Sequence, residues 1–271
     1  MSNFTQRILT GLVGATLVVA AMWAGGWWFG ALMTAVALAA QFELYKMLQA
    51  GGAAPVVGLG LVLGLAAVVW PLAPVTLLVL VAGVPMIQVA VLFKRRNSPL
   101  LDAAATVFGV VYPALLASSI VLLRVGDIGL RGDEAFWLTA AVLFAVWSAD
   151  SFAYLAGRAF GKTPLFERIS PKKTWEGAIG GAVGAFAMVA AFKLGALGDA
   201  VSWLDVAMIA LASGVLGPLG DLSESQFKRS VGVKDSASWL PGHGGLLDRV
   251  DATLVAVPVV VLYFHLTRGL L

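Results

Sequence analysis

From Ile8 to the end the chain repeats one pattern: an apolar run about as long as a bilayer is thick, then a short polar break. A helix needs roughly 20 residues to cross the hydrocarbon core. Runs near that length fall at about 7–23, 27–48, 56–71, 75–93, 100–123, 135–158, 177–194, 203–222 and 247–267. Charge is too scarce for the alternative. Of 271 residues, 60% are hydrophobic and 12% charged, whereas soluble domains run at about 45–50% apolar and about 25% charged. The expected fold is an all-α polytopic membrane protein of about nine transmembrane helices. Pro71, Pro74 and Pro85 interrupt the third and fourth runs, so one kinked hairpin would fit the same residues. Arg7 followed by apolar Ile8–Met22 has the outline of a secretory signal, but more spans follow it, and a retained first helix is expected.

The placement of charge gives an orientation. With the N-terminus on the cytoplasmic side and nine crossings, only Arg124, Arg131, Lys193 and Arg268 of the 18 Lys and Arg fall on the outer side. The rest, from Arg7 to Arg249, fall at cytoplasmic segments or span ends, as the positive-inside rule requires. Trp23, Trp27, Trp28, Trp137 and Trp203 then gather at outer boundaries, like an interfacial belt. The same bias explains the net charge of +3, so nucleic acid is not an expected partner. The absence of cysteine removes disulfides, thiolate nucleophiles and cysteine metal sites. Residues 1–123 hold five spans and no motif. Residues 124–271 hold four spans and two polar cytoplasmic segments, 159–176 and 223–246, within one integral membrane unit.

Those two segments carry most of the reactive side chains. Ser225–Asp251 reads SQFKRSVGVKDSASWLPGHGGLLDRVD and sets Lys228, Arg229, Lys234 and Arg249 beside Asp235, Asp248 and Asp251. Asp248 and Asp251 are three apart at an expected helix start and share a face; Asp221, Glu224 and Lys228 follow helical spacing just upstream. Carboxylates at a membrane helix end are costly unless a cation or a basic partner offsets them. Oxygen ligands without cysteine suit a hard cation, for which Mg²⁺ is the natural candidate. Mg²⁺ with clustered Lys and Arg is the equipment for stabilising a nucleotide's phosphates. Gly242, Gly244 and Gly245 around His243 would let backbone approach a phosphate. The plain alternative is a solvated loop whose charges anchor it to lipid headgroups.

In the other segment, Ser170, Lys172, Lys173 and Thr174 stand just before the seventh run, where helix-entry N–H groups suit an anion. Simple positive-inside anchoring would use the same lysines. Asp150 lies about two turns, roughly 12 Å, inside the sixth run. An acidic residue at that depth is a functional candidate, and Tyr154 follows on the same face; a structural pairing with a neighbouring helix is the alternative. Ala156–Thr163, AGRAFGKT, nearly matches a P-loop. Ala156 replaces its first glycine, Pro164 follows at once, and no strand precedes it, so that reading is rejected.

At Ser225–Asp251 the chain resembles the phosphatidate cytidylyltransferase, or CDP-diacylglycerol synthase, family. The resemblance rests on Ser225, Lys228-Arg229, Lys234-Asp235, His243-Gly244-Gly245 and Asp248-Arg249-Val250-Asp251. Three more blocks follow family order: Asp150-Ser151 with Tyr154 and Gly157, Ser170 to Gly177, and Gly220 to Ser225. The resemblance implies a nine-helix enzyme that moves CMP from CTP to phosphatidic acid and releases pyrophosphate. It also implies Mg²⁺, a second and monovalent cation, and a homodimer among membrane lipids. On this reading Asp221 and Asp248 bind metal, with Glu224 and Asp251 as further ligands or supports. Lys172, Lys173, Lys228, Arg229 and Arg249 neutralise phosphates, His243 donates to a phosphate or the leaving group, and Asp150 belongs to the catalytic set. Ser170, Thr174, Ser225, Lys234, Asp235, Gly244 and Gly245 line the substrates. A CTP-using lipid kinase, a polyprenol nucleotidyltransferase and an ion transporter use related residues; the last predicts inverted repeats, and none is visible. Compact length and lack of cysteine suit a bacterial inner membrane.

Overall fold

The computed structural model describes residues 3–94, 98–126, 128–237, 239 and 244–268, with side chains from Leu9 onward. Eleven helices and one short strand pair make up the described chain: α1 (Asn3–Ala24), α2 (Gly26–Ala50), α3 (Val57–Val69), α4 (Thr76–Leu92), α5 (Pro99–Gly109), α6 (Leu116–Val125), α7 (Asp133–Phe160), β1 (Pro164–Phe166), β2 (Ser170–Thr174), α8 (Trp175–Phe192), α9 (Trp203–Leu211), α10 (Gly217–Ser230) and α11 (Leu247–Thr267). Wider π-helical turns at Val110–Leu115 and Ala212–Leu216 join α5 to α6 and α9 to α10, so each pair forms one continuous rod. Among the described residues, six helical rods are long and apolar enough to cross a membrane: Gly26–Ala50, Pro99–Val125, Asp133–Phe160, Trp175–Ala200, Trp203–Ser230 and Leu247–Thr267. Three shorter apolar helices, Leu9–Ala24, Val57–Val69 and Thr76–Leu92, coincide with the first, third and fourth expected runs. The architecture is that of an all-α polytopic membrane protein.

The chain divides into two compact units. One comprises residues 1–121 and 228–249, the other 122–227 and 250–271, so the division falls inside α10 and α11. In the first unit, α3 and α4 are separate helices with Pro71 and Pro74 in the turn between them and Pro85 inside α4. Its interior holds a polar knot within apolar helices. The Tyr45 hydroxyl donates to Thr106 O at 2.8 Å, and Gln41 Nε2 donates to Gly60 O at 2.8 Å and to the Tyr45 hydroxyl at 3.0 Å. Gly60 and Gly109 leave room for the Tyr45 ring, which any Cβ at either position would overlap. Backbone carbonyls satisfied in this way need no water, which the hydrocarbon core cannot supply.

The second unit is built on the pairing of α7 with α8. Gly177 and Gly181 lie one turn apart on α8, and a Cβ on either would come within 2.8 Å of a carbonyl oxygen of α7 (Ala153 and Ala149). Small residues at that spacing let two membrane helices touch along their backbones. The Ser148 hydroxyl adds a 3.1 Å bond to Gly184 O. Between α7 and α8 the chain makes an antiparallel hairpin, with Pro164 opposite Thr174 and Phe166 opposite Ser170. A polar loop was expected across 159–176; the hairpin returns the chain within a few residues to start α8 beside α7. The second polar segment also differs from expectation. Helix α10 runs on to Ser230, so Ser223 to Arg229 are helical and continue the spacing of Asp221, Glu224 and Lys228.

Candidate functional site

In the second unit a cavity of about 420 Å³ opens among α7, β2, α8 and α10. Asp150, Tyr154 and Arg158 enter it from α7, Lys172, Lys173 and Thr174 from β2, and Asp221 from α10. The glycine contact of α7 with α8 places the first three beside the hairpin. Gly157 and Gly177 are themselves part of the wall. Lys173 Nζ donates to Asp221 Oδ2 at 2.7 Å, and the Ser225 hydroxyl faces Asp221 Oδ1 at 3.3 Å. Arg158 reaches the Tyr154 hydroxyl at 3.4 Å, one turn away on an exposed face. Lys172 is exposed, and Asp150, although inside the long α7, is exposed towards the cavity. The volume lies within the usual range for small-molecule sites.

Behind this wall the carboxylates accumulate. Asp251 on α11 stands within electrostatic reach of Asp221, Glu224 and Asp150, and both Asp251 and Glu224 are buried. The backbone brings them there through small residues. A Cβ on Gly220 would come within 2.9 Å of Asp251 O, and Gly217 rests against Ala252, so α10 and α11 run in close contact at this point. Gathered buried carboxylates repel one another unless cations offset them. Lys173 supplies one positive charge. The oxygen-only donor set fits a hard divalent cation in its chemistry. Among the described residues, no three His, Asp or Glu side chains stand spaced to share one ion, and Asp221 is engaged by Lys173 and Ser225.

Two neighbouring side chains have structural work. Thr174 Oγ1 accepts from Gly177 N at 3.2 Å as the N-cap of α8, a role that a hydroxyl at a helix entry takes as readily as anion binding. Glu176 accepts from Lys162 N at 3.1 Å and Thr163 N at 3.2 Å, and from the Thr163 hydroxyl at 3.0 Å. The amides of the rejected P-loop segment are thus tied to α8. Ser170 lies in β2 opposite Phe166, away from the cavity wall.

The first unit holds a second group. Lys228 Nζ forms a short ion pair with Asp248 Oδ1, and both side chains are nearly inaccessible. Asp248 Oδ2 accepts from Ser236 N at 3.0 Å, Gly245 N at 2.8 Å and the Ser236 hydroxyl at 2.9 Å. Every oxygen of this carboxylate is therefore engaged. Gly244 takes a φ of +74°, in the left-handed region that glycine tolerates, and turns the chain into α11. Gly245, Leu246 and Leu247 direct their N–H groups at carboxylates of the protein, Asp248 for the first and Glu43 for the other two. Arg229, Lys234, Asp235 and Arg249 are exposed, and Arg229 donates to Val233 O at 3.0 Å. His243 lies outside the described residues.

The sequence motifs give no role to Glu43, Ser236 or Arg158, and place Glu176 only within the block Ser170 to Gly177. Glu43 had a signal: it is an acidic residue inside an apolar run, the same feature that drew attention to Asp150. Glu176 closes a hairpin whose strands are too short to show alternation.

The whole chain has relatives. Residues 5–267 match the cytidylyltransferase family. A protein of Brucella abortus biovar 1 called phosphatidate cytidylyltransferase is 38% identical over 269 residues, covering 97% of this chain and 94% of its own length. A Synechocystis protein of the same name is 34% identical over 286 residues, covering 94% of each. The chloroplastic phosphatidate cytidylyltransferase 5 of Arabidopsis thaliana is 33% identical over 282 residues, covering 93% of this chain and 69% of the plant protein.

Proposed function

The chain belongs to the cytidylyltransferase family, and from that premise we propose that it transfers CMP from CTP to phosphatidic acid, giving CDP-diacylglycerol and pyrophosphate in phospholipid synthesis. The observation that carries this reading beyond the relatives' names is the lysine-and-arginine-walled cavity at the end of α7, backed by the carboxylates of α10 and α11. It suits an anionic substrate group that needs both fixed cations and a metal-binding set nearby.

The reaction is an in-line displacement. A phosphate oxygen of phosphatidic acid forms a bond to the α-phosphorus of CTP, the bond to the bridging oxygen breaks, and pyrophosphate leaves. The phosphate monoester is already anionic near neutral pH, so no side-chain nucleophile is needed. Catalysis becomes positioning and charge stabilisation. Lys172, Lys173 and Arg158 neutralise phosphate oxygens in the cavity. Asp150 and Ser225 orient the groups bound there, and one or two of the carboxylates Asp221, Glu224 and Asp251 would hold Mg²⁺ together with substrate phosphates. When bound, Mg²⁺ would screen the phosphate charges and stabilise the leaving pyrophosphate. Lys228, Arg229, Lys234 and Arg249 are assigned to substrate phosphates by the family pattern, with Asp248 ordering Lys228.

The same reading carries the finer points of topology. The three shorter apolar helices complete nine spans with the six long ones, and the asymmetry of Lys and Arg supports a cytoplasmic N-terminus and a cytoplasmic active site. Phosphatidic acid stays in the bilayer and CTP in water, so a boundary cavity lets them meet. A homodimer in a bacterial inner membrane, with a monovalent cation beside Mg²⁺, completes the proposal. The test is product stoichiometry: one pyrophosphate per CTP consumed, dependent on phosphatidic acid. Release of CDP in place of pyrophosphate would indicate γ-phosphate transfer and overturn the reading.

A further inference from the structure

We propose that Glu43, in the motif-free N-terminal half, is a positioning residue for the reaction, fixing the turn ahead of α11 and, through Ser236, the Asp248–Lys228 pair. The inference rests on the CMP-transfer reading. Glu43 lies in the apolar α2 and is 1% exposed. A carboxylate there is retained only if its oxygens are satisfied. They are: Oε1 accepts from Leu246 N at 2.8 Å, and Oε2 accepts from Leu247 N at 2.9 Å and the Ser236 hydroxyl at 2.7 Å. The two amides are among the donors left unpaired at the start of α11, where the helix dipole also favours a negative charge.

Ser236 links the two acids. Its hydroxyl has one proton to give and two carboxylate oxygens in reach, Glu43 at 2.7 Å and Asp248 at 2.9 Å. Displacing either carboxylate therefore changes the donor available to the other. Asp248 in turn holds Lys228. Gly245 supports the same reading, because a Cβ there would overlap both the Ser236 hydroxyl and the Glu43 carboxylate. The glycine that the sequence offers to a phosphate makes room for Glu43. One acid from α2 thereby sets where the signature lysine and aspartate stand, without touching substrate.

The test uses the full-length protein in detergent with CTP and phosphatidic acid. Glu43→Gln keeps the size of the side chain but turns one acceptor into a donor facing donors. Its kcat is expected to fall about 10²-fold, the scale of a misplaced catalytic group, while KM for phosphatidic acid stays near wild type. Ser236→Ala removes only the shared hydroxyl and is expected to lower kcat about 10-fold. The double variant should lose no more than Glu43→Gln alone, because both act along one path. Wild-type turnover in Glu43→Gln, or losses that multiply in the double variant, would overturn the assignment. If Glu43→Gln does not fold, Ser236→Ala decides: a lower kcat with a near-native melting temperature supports the link, and wild-type kcat refutes it. Wild-type protein that makes no CDP-diacylglycerol in this assay would instead refute the functional reading.

Discussion

Lys173→Met takes one ammonium from the cavity wall while keeping most of the side chain's length. The ammonium meets Asp221 at 2.7 Å, and both side chains are 29% exposed. Water screens such a pair, so its contribution to stability is about 0–1 kcal/mol. In a chain of this size that shifts the melting temperature by no more than about 2–4 °C. The catalytic scale is different. A fixed charge aimed at oxygens that gain negative charge in the transition state is worth about 10²–10³ in kcat, about 2.7–4 kcal/mol. Lys173→Met should therefore melt almost as wild type yet transfer CMP at least 10²-fold more slowly. The assay pairs a thermal melt of the detergent-solubilised protein with initial rates of pyrophosphate release at saturating CTP. Near-wild-type rates would refute a role in charge stabilisation. A collapsed melting temperature would show that the pair is structural.

Three further outcomes follow from the geometry. Gly181→Val pushes side-chain atoms into the α7 backbone and should cost about 1–3 kcal/mol of stability, read as a lower melting temperature, while Gly14→Ala, where a Cβ meets nothing within 4 Å, should be neutral. Thr174→Val removes the α8 cap and should cost about 0.5–2 kcal/mol, with Thr174→Ser close to wild type in the same melt. Chelation with EDTA should abolish CMP transfer and added Mg²⁺ restore it, and Glu224→Gln should raise the Mg²⁺ concentration for half-maximal rate by about 10- to 100-fold.

The helices were legible because hydrocarbon imposes one length and one composition on whatever crosses it. The long rods from Asp133 to Phe160 and from Leu247 to Thr267 start and stop within a few residues of the expected runs. Helical spacing at Asp221, Glu224 and Lys228 pointed to the extension of α10, although the segment's polarity read as loop. The hairpin was not legible, since strands of three and five residues, one of them SPKKT, carry no alternation. The π-helical turn at Val110–Leu115 holds Pro113, which breaks the helical hydrogen-bond pattern but does not by itself tell a π-turn from a kink, and the one at Ala212–Leu216 holds no such residue.

For the site, local spacing found what lies close in sequence and missed what the fold brings from afar. The gathering of Asp221, Glu224 and Asp251 combines two helices whose acids were each visible beforehand. Lys173 beside Asp221 joins residues 48 positions apart, one of which the sequence suits to phosphate and the other to metal. Glu43 meets Leu247 across 204 positions, and no motif records that distance. Thr174 shows an ambiguity of a different kind, because a hydroxyl before a helix fits a cap and an anion site equally well.

The central claim is that this chain moves the α-phosphoryl group and its nucleoside from CTP onto phosphatidic acid at the site around Asp221. Purified protein, phosphatidic acid, Mg²⁺ and CTP labelled at the α-phosphate, followed by lipid extraction, tests it directly. The account predicts label in the lipid fraction that requires both Mg²⁺ and phosphatidic acid and is lost in a folded Asp221→Asn variant. Absence of lipid label with folded wild-type protein, or full labelling by Asp221→Asn, would contradict it.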